Sequence, residues 1–424
     1  MRIEWVNHAS FVIESGSIRL MCDPWLDGAA FNGGWKLLSP TIFRYEDFAR
    51  ITHIWFSHEH PDHFSPSNLK RIPEELRRKI TVLFHQTKDK RVLKVCEAYR
   101  FEVQELPDAQ PVELAGDFRL VCGRQGLIDS WMAVFAENKT LLNMNDCVFR
   151  QRDDLVAIKR KLGKVDVLLS QFSYANWVGN PDDRSSHTRH AQRKLNEIRL
   201  HAQIFEPTTF IPFASFIYFS HAENFFMNAA VNRIGSVYEF TTRQLGVPTI
   251  VLYPGDEWEV GEPRDSSNSL RRYALDFEHA LSRPPDTSDP IPMTKLREAA
   301  NNFVHRCNHK NNRLLLKALL PAFVRLNDLG IDVELSYRRG VSEVTGKQPD
   351  IVTSSNSLYY CLLYEWGGDT LAVNGRYQVP PGGNARRFFR IFRVAAHNSA
   401  GNSFDLLFLG RQVVKKTADV LHVR

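Results

Sequence analysis

Residues 54–64 read IWFSHEHPDHF: an apolar, strand-like run that leads straight into His58, Glu59, His60, Pro61, Asp62 and His63. His58 and His60 lie two apart on a strand-to-loop segment, where alternate side chains point the same way. Asp62 and His63 follow at once, and a turn there can bring them to the same pocket from another direction. Imidazole and carboxylate donors suit first-row divalent metals, and so many of them close together favour two ions over one. A chance cluster on a surface loop is the alternative. The buried strand before it and the specific spacing weigh against that.

The 424-residue chain is long enough for one large domain and a smaller one. With 43% hydrophobic and 24% charged residues it has the composition of an ordinary globular protein. The net charge of +6, from 54 basic and 48 acidic residues, is scattered. KRKLGK (159–164) and ARR (385–387) are short runs that read as solvated faces, so no nucleic-acid partner is expected. No stretch approaches about 18 uninterrupted apolar residues, which gives no membrane span. The start, MRIEWVNHASF, lacks the layout of a signal peptide. Cys22, Cys96, Cys122, Cys147, Cys307 and Cys361 include no CxxC pair. That argues against a disulfide framework or a cysteine zinc site and suits the reducing cytoplasm, where the chain is expected.

Residues 1–281 alternate short apolar runs with polar turns and read as one domain. FVIES (11–15) and IRLMCDP (18–24) form a hairpin across Gly16-Ser17. ITVLFH, FRLVCG, SWMAVFAE, KTLLNMND and VDVLLSQF read as further strands, and HTRHAQRKLNEIRLHAQIF (187–205) has helical spacing. Strands separated by helices give a layered α/β fold. SRPPDTSDPIP (282–292) reads as a linker, and residues 293–424 as a smaller C-terminal α+β domain. There, residues 293–329 read as a helix that Pro321 kinks or divides. SLYYCLLYEWGGDTLAVNGRY and RRFFRIFRVAAH read as strands. No chemistry is assigned to this part. Covering the site mouth, self-association into a homo-oligomer and binding a separate partner are its open roles.

The arrangement HxHxDH resembles the metallo-β-lactamase superfamily, whose fold is a four-layer αββα sandwich with metals at one edge of its sheets. The resemblance implies that later strand ends complete the site. Asp146, in LLNMNDC, takes the place of the family's bridging aspartate and is thereby a catalytic candidate. His221, in FIPFASFIYFSHAEN, takes that of the final histidine. The family usually supplies another histidine before the bridging aspartate. His85 comes too early for this, and at the expected place GLIDSWMAVF offers Asp129. One metal would then be held by His58, His60, Asp129 and Asp146, and the second by Asp62, His63, Asp146 and His221. Turn roles for Asp129 and Asp146, and a structural role for His221, remain the alternatives. Added oxygen ligation shifts preference from zinc toward iron or manganese.

A longer stretch, HASFVIESGSIRLMCDPWLDGAAFNGGWKLL (8–38), resembles the corresponding part of the CMP-N-acetylneuraminate hydroxylases. IDSWMAVFAENKTLLNMNDC and IPFASFIYFSH do so too. Those enzymes carry a Rieske iron–sulfur domain, which needs two Cys and two His in paired spacing, and no such pairing occurs here. The resemblance implies a diiron oxygenase with O2 as co-substrate and an external electron donor. Its substrate would be a small polar or nucleotide-sugar-like metabolite. A zinc or manganese hydrolase, of lactonase or phosphodiesterase type, is the alternative. A fold kept for binding alone is the weakest reading, since seven candidate ligands are retained. His8 is expected to serve as a hydrogen-bonding or proton-transfer group, and Asp23 to hold its loop through backbone hydrogen bonds. Trp25, Phe31 and Trp35 wall a pocket or simply pack. Glu59 and Pro61 receive no role.

Overall fold

Gly16 turns with a φ of 56°, and the apolar runs on either side of it pair antiparallel as Ser10–Ser15 and Ile18–Cys22. Glycine takes that left-handed conformation without the penalty of a Cβ. From this hairpin a seven-stranded sheet grows in the order Glu257–Glu259, Arg2–Asn7, Ser10–Ser15, Ile18–Cys22, His53–Trp55, Thr81–His85, Glu102–Leu106. Its first half is antiparallel, and from Ile18–Cys22 onward the pairings are parallel. Parallel neighbours need crossovers, and these carry the helices Pro66–Arg71 and Arg91–Ala98. The computed structural model describes residues 1–405 except 127, 150 and 400.

A second sheet has six strands, in the order Thr209–Phe213, Val167–Gln171, Lys139–Asn143, Asp129–Ala136, Phe118–Gln125, Pro111–Ala115. Alternation along the first sheet explains how the layers stack. Phe11, Ile13, Leu20, Trp55 and Leu83 join Leu120, Val134, Leu141 and Leu168 of the second sheet in one buried cluster. Val12, Met21, Ile54 and Val82 point the other way, onto Leu69, Val92, Leu93 and Cys96 of the crossover helices. The second sheet's other face is covered by the helices Arg152–Leu162 and Arg184–Phe205, through Leu155, Ile158, Ile198 and Phe205. The result is the helix–sheet–sheet–helix sandwich that the histidine motif implies.

These layers belong to a first compact unit, made of Met1–Ala175, Arg184–Phe219 and Met227–Pro284. A second unit takes Asn176–Asp183, Ser220–Phe226 and the chain from Pro285 onward. It has a five-stranded sheet in the order Gly340–Glu343, Ile331–Ser336, Ala322–Leu326, Ile351–Thr353, Tyr377–Gln378. Its core gathers Val324, Leu335 and Ile351 from that sheet with Phe303, Leu358, Phe388 and Phe392 from helices. Residues 406–424, the end of the expected 293–424 domain, lie outside the described residues.

Secondary structure in the second unit differs from expectation in two places. The long helix expected over 293–329 stops at Met293–Lys310. Asn312 then caps a short helix, Arg313–Ala318, by accepting hydrogen bonds from the N–H groups of Leu314 and Leu315. Pro321 precedes a strand, Ala322–Leu326, instead of kinking a helix. Apart from Tyr377, which begins the edge strand Tyr377–Gln378, the two segments read as strands lie in or between helices, Ser355–Leu363, Gly367–Asn374 and Ala385–Ser399. Dense apolar residues hid their period, yet the buried positions Phe388, Ile391, Phe392 and Ala395 recur at helical spacing. Ser354 caps the first of these helices through its hydroxyl. No described helix is long and apolar enough to cross a membrane.

Candidate metal centre

Strand direction places the polar loops together. The loop after His53–Trp55 carries His58, His60, Asp62 and His63, and the one after Ile18–Cys22 carries Asp23. His8 sits in the tight turn between Arg2–Asn7 and Ser10–Ser15, whose Phe11 lies opposite Cys22. On the second sheet Asp146 follows Lys139–Asn143. Asp129 starts the antiparallel neighbour, in which Met132 lies opposite Asn143. The Ser130 hydroxyl donates to the Ser57 carbonyl at 2.6 Å and so joins the two sheets at this edge.

Here the side chains converge. His58 Nε2 lies 2.8 Å from His60 Nδ1 and 4.0 Å from Asp129 Oδ1. His63 Nε2 lies 3.3 Å from Asp62 Oδ2 and 3.5 Å from Asp146 Oδ2. Two three-residue groups have their donor atoms mutually within 4.8 Å: His58, His63 and Asp146, and His8, Asp62 and His63. The donor chemistry fits metal ions. Asp62 Oδ1 and His63 Nε2 are buried with no hydrogen-bond partner among the described residues, an arrangement that costs free energy unless something satisfies them. Two ring nitrogens 2.8 Å apart likewise either share a proton or flank a cation.

Outer partners set the orientation of these donors. Asp23, fully buried, accepts from the Ser57 N–H and hydroxyl at 2.7 Å each, from Asn145 Nδ2 at 2.6 Å and from His63 Nδ1 at 2.9 Å. With its proton on Nδ1, His63 presents the Nε2 lone pair to the site, the usual device for orienting a metal-binding histidine. Gln171 Nε2 donates to Asp146 Oδ1 at 3.1 Å, which leaves Oδ2 on the side of His63.

Electrostatics favour positive charge at this spot. Burial opposes a charged His63, but Asp62, Asp146 and Asp23 outweigh it and hold the imidazole well above its usual range. Burial also opposes a charged Asp62, yet His63 and His8 keep its carboxyl well below the carboxylate range. Burial, then the neighbouring Asp146, pushes the Asp129 carboxyl up to about 7. Crowded carboxylates of this kind are relieved by a multivalent cation.

Of the expected ligands, His58, His60, Asp62, His63, Asp129 and Asp146 come together in the first unit. His221 belongs to the second unit. Its Nε2 lies 3.0 Å from the Ser288 hydroxyl, and its Nδ1 accepts the Glu223 N–H at 3.2 Å. Glu223 in turn accepts from Arg376 Nε at 2.7 Å. His8 is buried, with Nε2 3.3 Å from Asp62 Oδ2. The aromatics of the early loop pack around the site: Trp25 meets the His8 ring edge-on at 5.7 Å, and Phe31 lies 5.5 Å from His60 and 4.4 Å from Trp35. Glu59 pairs with Arg91 at 2.9 Å. His85 stacks on Phe84 at 4.2 Å, and burial lowers it to about 4. Sequence reasoning missed the orienting role of Asp23 and the parts played by Ser57, Asn145 and Gln171. The one available signal was the position of Asp23 at the end of a buried strand.

Residues 2–114 match the family model of the β-lactamase superfamily domain. A Mycolicibacterium smegmatis protein described as a Rieske 2Fe-2S iron–sulfur protein is 25% identical over 234 residues, 50% of this chain and 43% of that one. The cytidine monophosphate-N-acetylneuraminic acid hydroxylase of Sus scrofa is 41% identical over 69 residues, 16% of each chain. The chain thus spans less than half the length of these relatives. Among solved structures, CmlA, a diiron β-hydroxylase from Streptomyces venezuelae, superposes over 61% of this chain and 54% of its own, with 15% identity and a TM-score of 0.44.

Proposed function

This chain carries a β-lactamase superfamily domain, a fold of metal-binding enzymes, and on that premise we propose that it is a dinuclear iron hydroxylase. It uses O2 to oxidise a small polar or nucleotide-sugar-like substrate. The carrying observation is the carboxylate count at the sheet edge: Asp62, Asp129 and Asp146 stand with His58, His60 and His63. Asp129 stands where the family resemblance places a histidine. Oxygen-rich donor sets favour iron or manganese over zinc, and each added negative charge stabilises a higher oxidation state. The short, stronger likeness to the acetylneuraminic acid hydroxylases supports the same reading.

Bound by these six side chains, two iron ions would supply the binding and activation of O2. The chain's own residues do the rest. Asp23 keeps the His63 proton on Nδ1, and Gln171 fixes one oxygen of Asp146. Phe31 lies against the His60 ring and, with Trp35, excludes water from that side of the site. The Asp129 side chain, 30% exposed, marks the side open to substrate. Hydroxylation inserts one oxygen atom of O2 into a C–H bond and reduces the other to water, which consumes two electrons and two protons. These electrons come from a reductant or a donor protein.

Purification without oxygen, followed by metal analysis and optical and Mössbauer spectra before and after O2, tests the proposal. Two irons per chain and a chromophore that forms only with O2 are expected. Tightly bound zinc or manganese, with turnover of an ester or phosphodiester in the absence of O2, would sink it in favour of a hydrolase.

A further inference from the structure

We infer that the first unit carries a second binding site, a cavity that takes a small, neutral aromatic molecule bearing a carbonyl group. The inference is independent of the metal centre, since no candidate metal ligand lines the cavity.

The cavity holds about 540 Å3, within the range of small-molecule sites. Segments 172–174, 215–217 and 231–243 bound it together with the helix Ser267–Ser282. Much of the wall is aromatic, from Phe172, Phe216, Tyr238, Tyr273 and Phe277. Phe216 and Tyr273 are buried and stack on one another at 4.2 Å. Arg233 lies over the Phe277 ring at 4.2 Å and pairs with Glu278 at 2.5 Å, which holds that ring in place. Fixed aromatic walls favour a flat occupant. The helix Ile234–Glu239 runs on into a π-helical turn, Phe240–Gln244, whose Thr242 and Arg243 also line the cavity. The Thr241 and Thr242 hydroxyls donate to the Val237 and Tyr238 carbonyls at 3.0 and 2.6 Å and support this wide turn. Such turns are rare and recur at functional sites.

Polar groups on the lining define the rest of the ligand. Ser215 Oγ accepts the N–H groups of Phe172 and Ser173 at 3.1 and 3.0 Å, and Ser173 Oγ accepts the Asn232 N–H at 3.0 Å. Each hydroxyl keeps its own proton, and neither proton has an acceptor among the described residues. Two neighbouring donors suit a carbonyl oxygen, which has two lone pairs. Charge on the lining is balanced: Arg233 pairs with Glu278, and Arg243 with Glu239 at 3.4 Å. An anion buried here would lack a cation of its own, at a large desolvation cost. Size, flat walls, paired donors and balanced charge together select a neutral aromatic ketone, amide or quinone.

Titration of the full-length chain with Prodan, a fluorescent naphthyl ketone whose emission moves to the blue in apolar surroundings, tests the site. One saturable site per chain with blue-shifted emission is expected. Ala274→Trp brings an indole onto the lining from the helix Ser267–Ser282. Gly235→Phe fills the cavity from Ile234–Glu239, where a Cβ meets nothing within 4 Å. Each variant is expected to weaken Prodan binding about tenfold or more, with an unchanged circular dichroism spectrum. A displacement series reads the ligand class. 2-Acetylnaphthalene is expected to displace Prodan at about tenfold lower concentration than 2-isopropenylnaphthalene, its shape analogue without the oxygen, or the anion 2-naphthoate. Prodan uptake that does not saturate, or unchanged binding in both variants, would overturn the site. Displacement by the hydrocarbon or the anion as tight as by the ketone would overturn the ligand class. The displacement series stands even if both variants fail to fold.

Discussion

Asp23 Oδ2 and His63 Nδ1, 40 positions apart in the chain, meet at 2.9 Å in a fully buried contact. That contact fixes the tautomer of a metal-facing imidazole from behind. Asp23→Asn keeps the shape but removes the charge, and an amide N–H turned toward His63 would donate to Nδ1 and favour the other tautomer. Metal affinity is expected to fall about 10–100-fold, measured by competition with a chromophoric chelator. Affinity within twofold of the original would show that Asp23 only shapes its loop.

Asp129→His restores the donor type that the family resemblance expects. The variant is expected to take up zinc in preference to iron and to lose the O2-dependent chromophore. Unchanged iron loading and oxygen reactivity would remove the basis for reading Asp129 as the residue that selects oxidation.

His201, on the helix Arg184–Phe205, is buried with Nδ1 2.9 Å from the Ser170 hydroxyl. Burial, reinforced by Lys194, lowers it to about 4, whereas the unfolded chain titrates near 6.5. The unfolded state therefore binds more protons between these values. The stability that His201 contributes is complete above about pH 6.5 and is lost as the pH falls toward 4, by at most about 3 kcal/mol. Urea midpoints at pH 7 and pH 4.5 should differ less for His201→Gln than for the original chain.

Gly123 lies opposite Trp131 on neighbouring strands, and a Cβ there would stand 2.2 Å from the indole ring. Gly123→Ala is expected to destabilise the first unit by about 1–3 kcal/mol through overpacking, read as a lower denaturation midpoint. An unchanged midpoint would mean that the indole moves aside freely.

In the second unit Arg376 is completely buried and donates to Glu223. Arg376→Ala removes the cation beside a largely buried carboxylate, which keeps only the Ser354 N–H and hydroxyl as donors among the described residues, and is expected to cost about 3–5 kcal/mol. Replacing both residues with leucine is expected to cost less than the sum of the two single substitutions. Additive costs would show that the two side chains do not act as a pair.

The sequence announces the centre only where its parts are adjacent. His58 to His63 sit in one loop, so their spacing carries the geometry, and Asp146 is legible as the aspartate ending a strand. Asp23 was readable as a buried turn residue but not as the partner of His63, because that contact forms between two loops of a folded sheet edge. Helices in the second unit were hidden for a different reason. RRFFRIFRVAAH is so rich in apolar residues that alternation and a 3.6-residue period both fit it. The assignment of 176–183 and 220–226 to the second unit has no local signature at all, since only packing decides it.

The hydrogen bond from Ser130 to the Ser57 carbonyl marks a seam where the two sheets close on one another. Its candidate metal donors are spread from position 58 to position 146, so no local folding step can assemble them, and both sheets must dock first. An ion captured there is a rivet through the sandwich. Binding only the folded chain, it would stabilise that chain by about 4 kcal/mol at a thousandfold excess over its dissociation constant. Chelation would then be felt as a softening of the whole fold, and the organism's metal supply would set how long this protein survives as well as how fast it works.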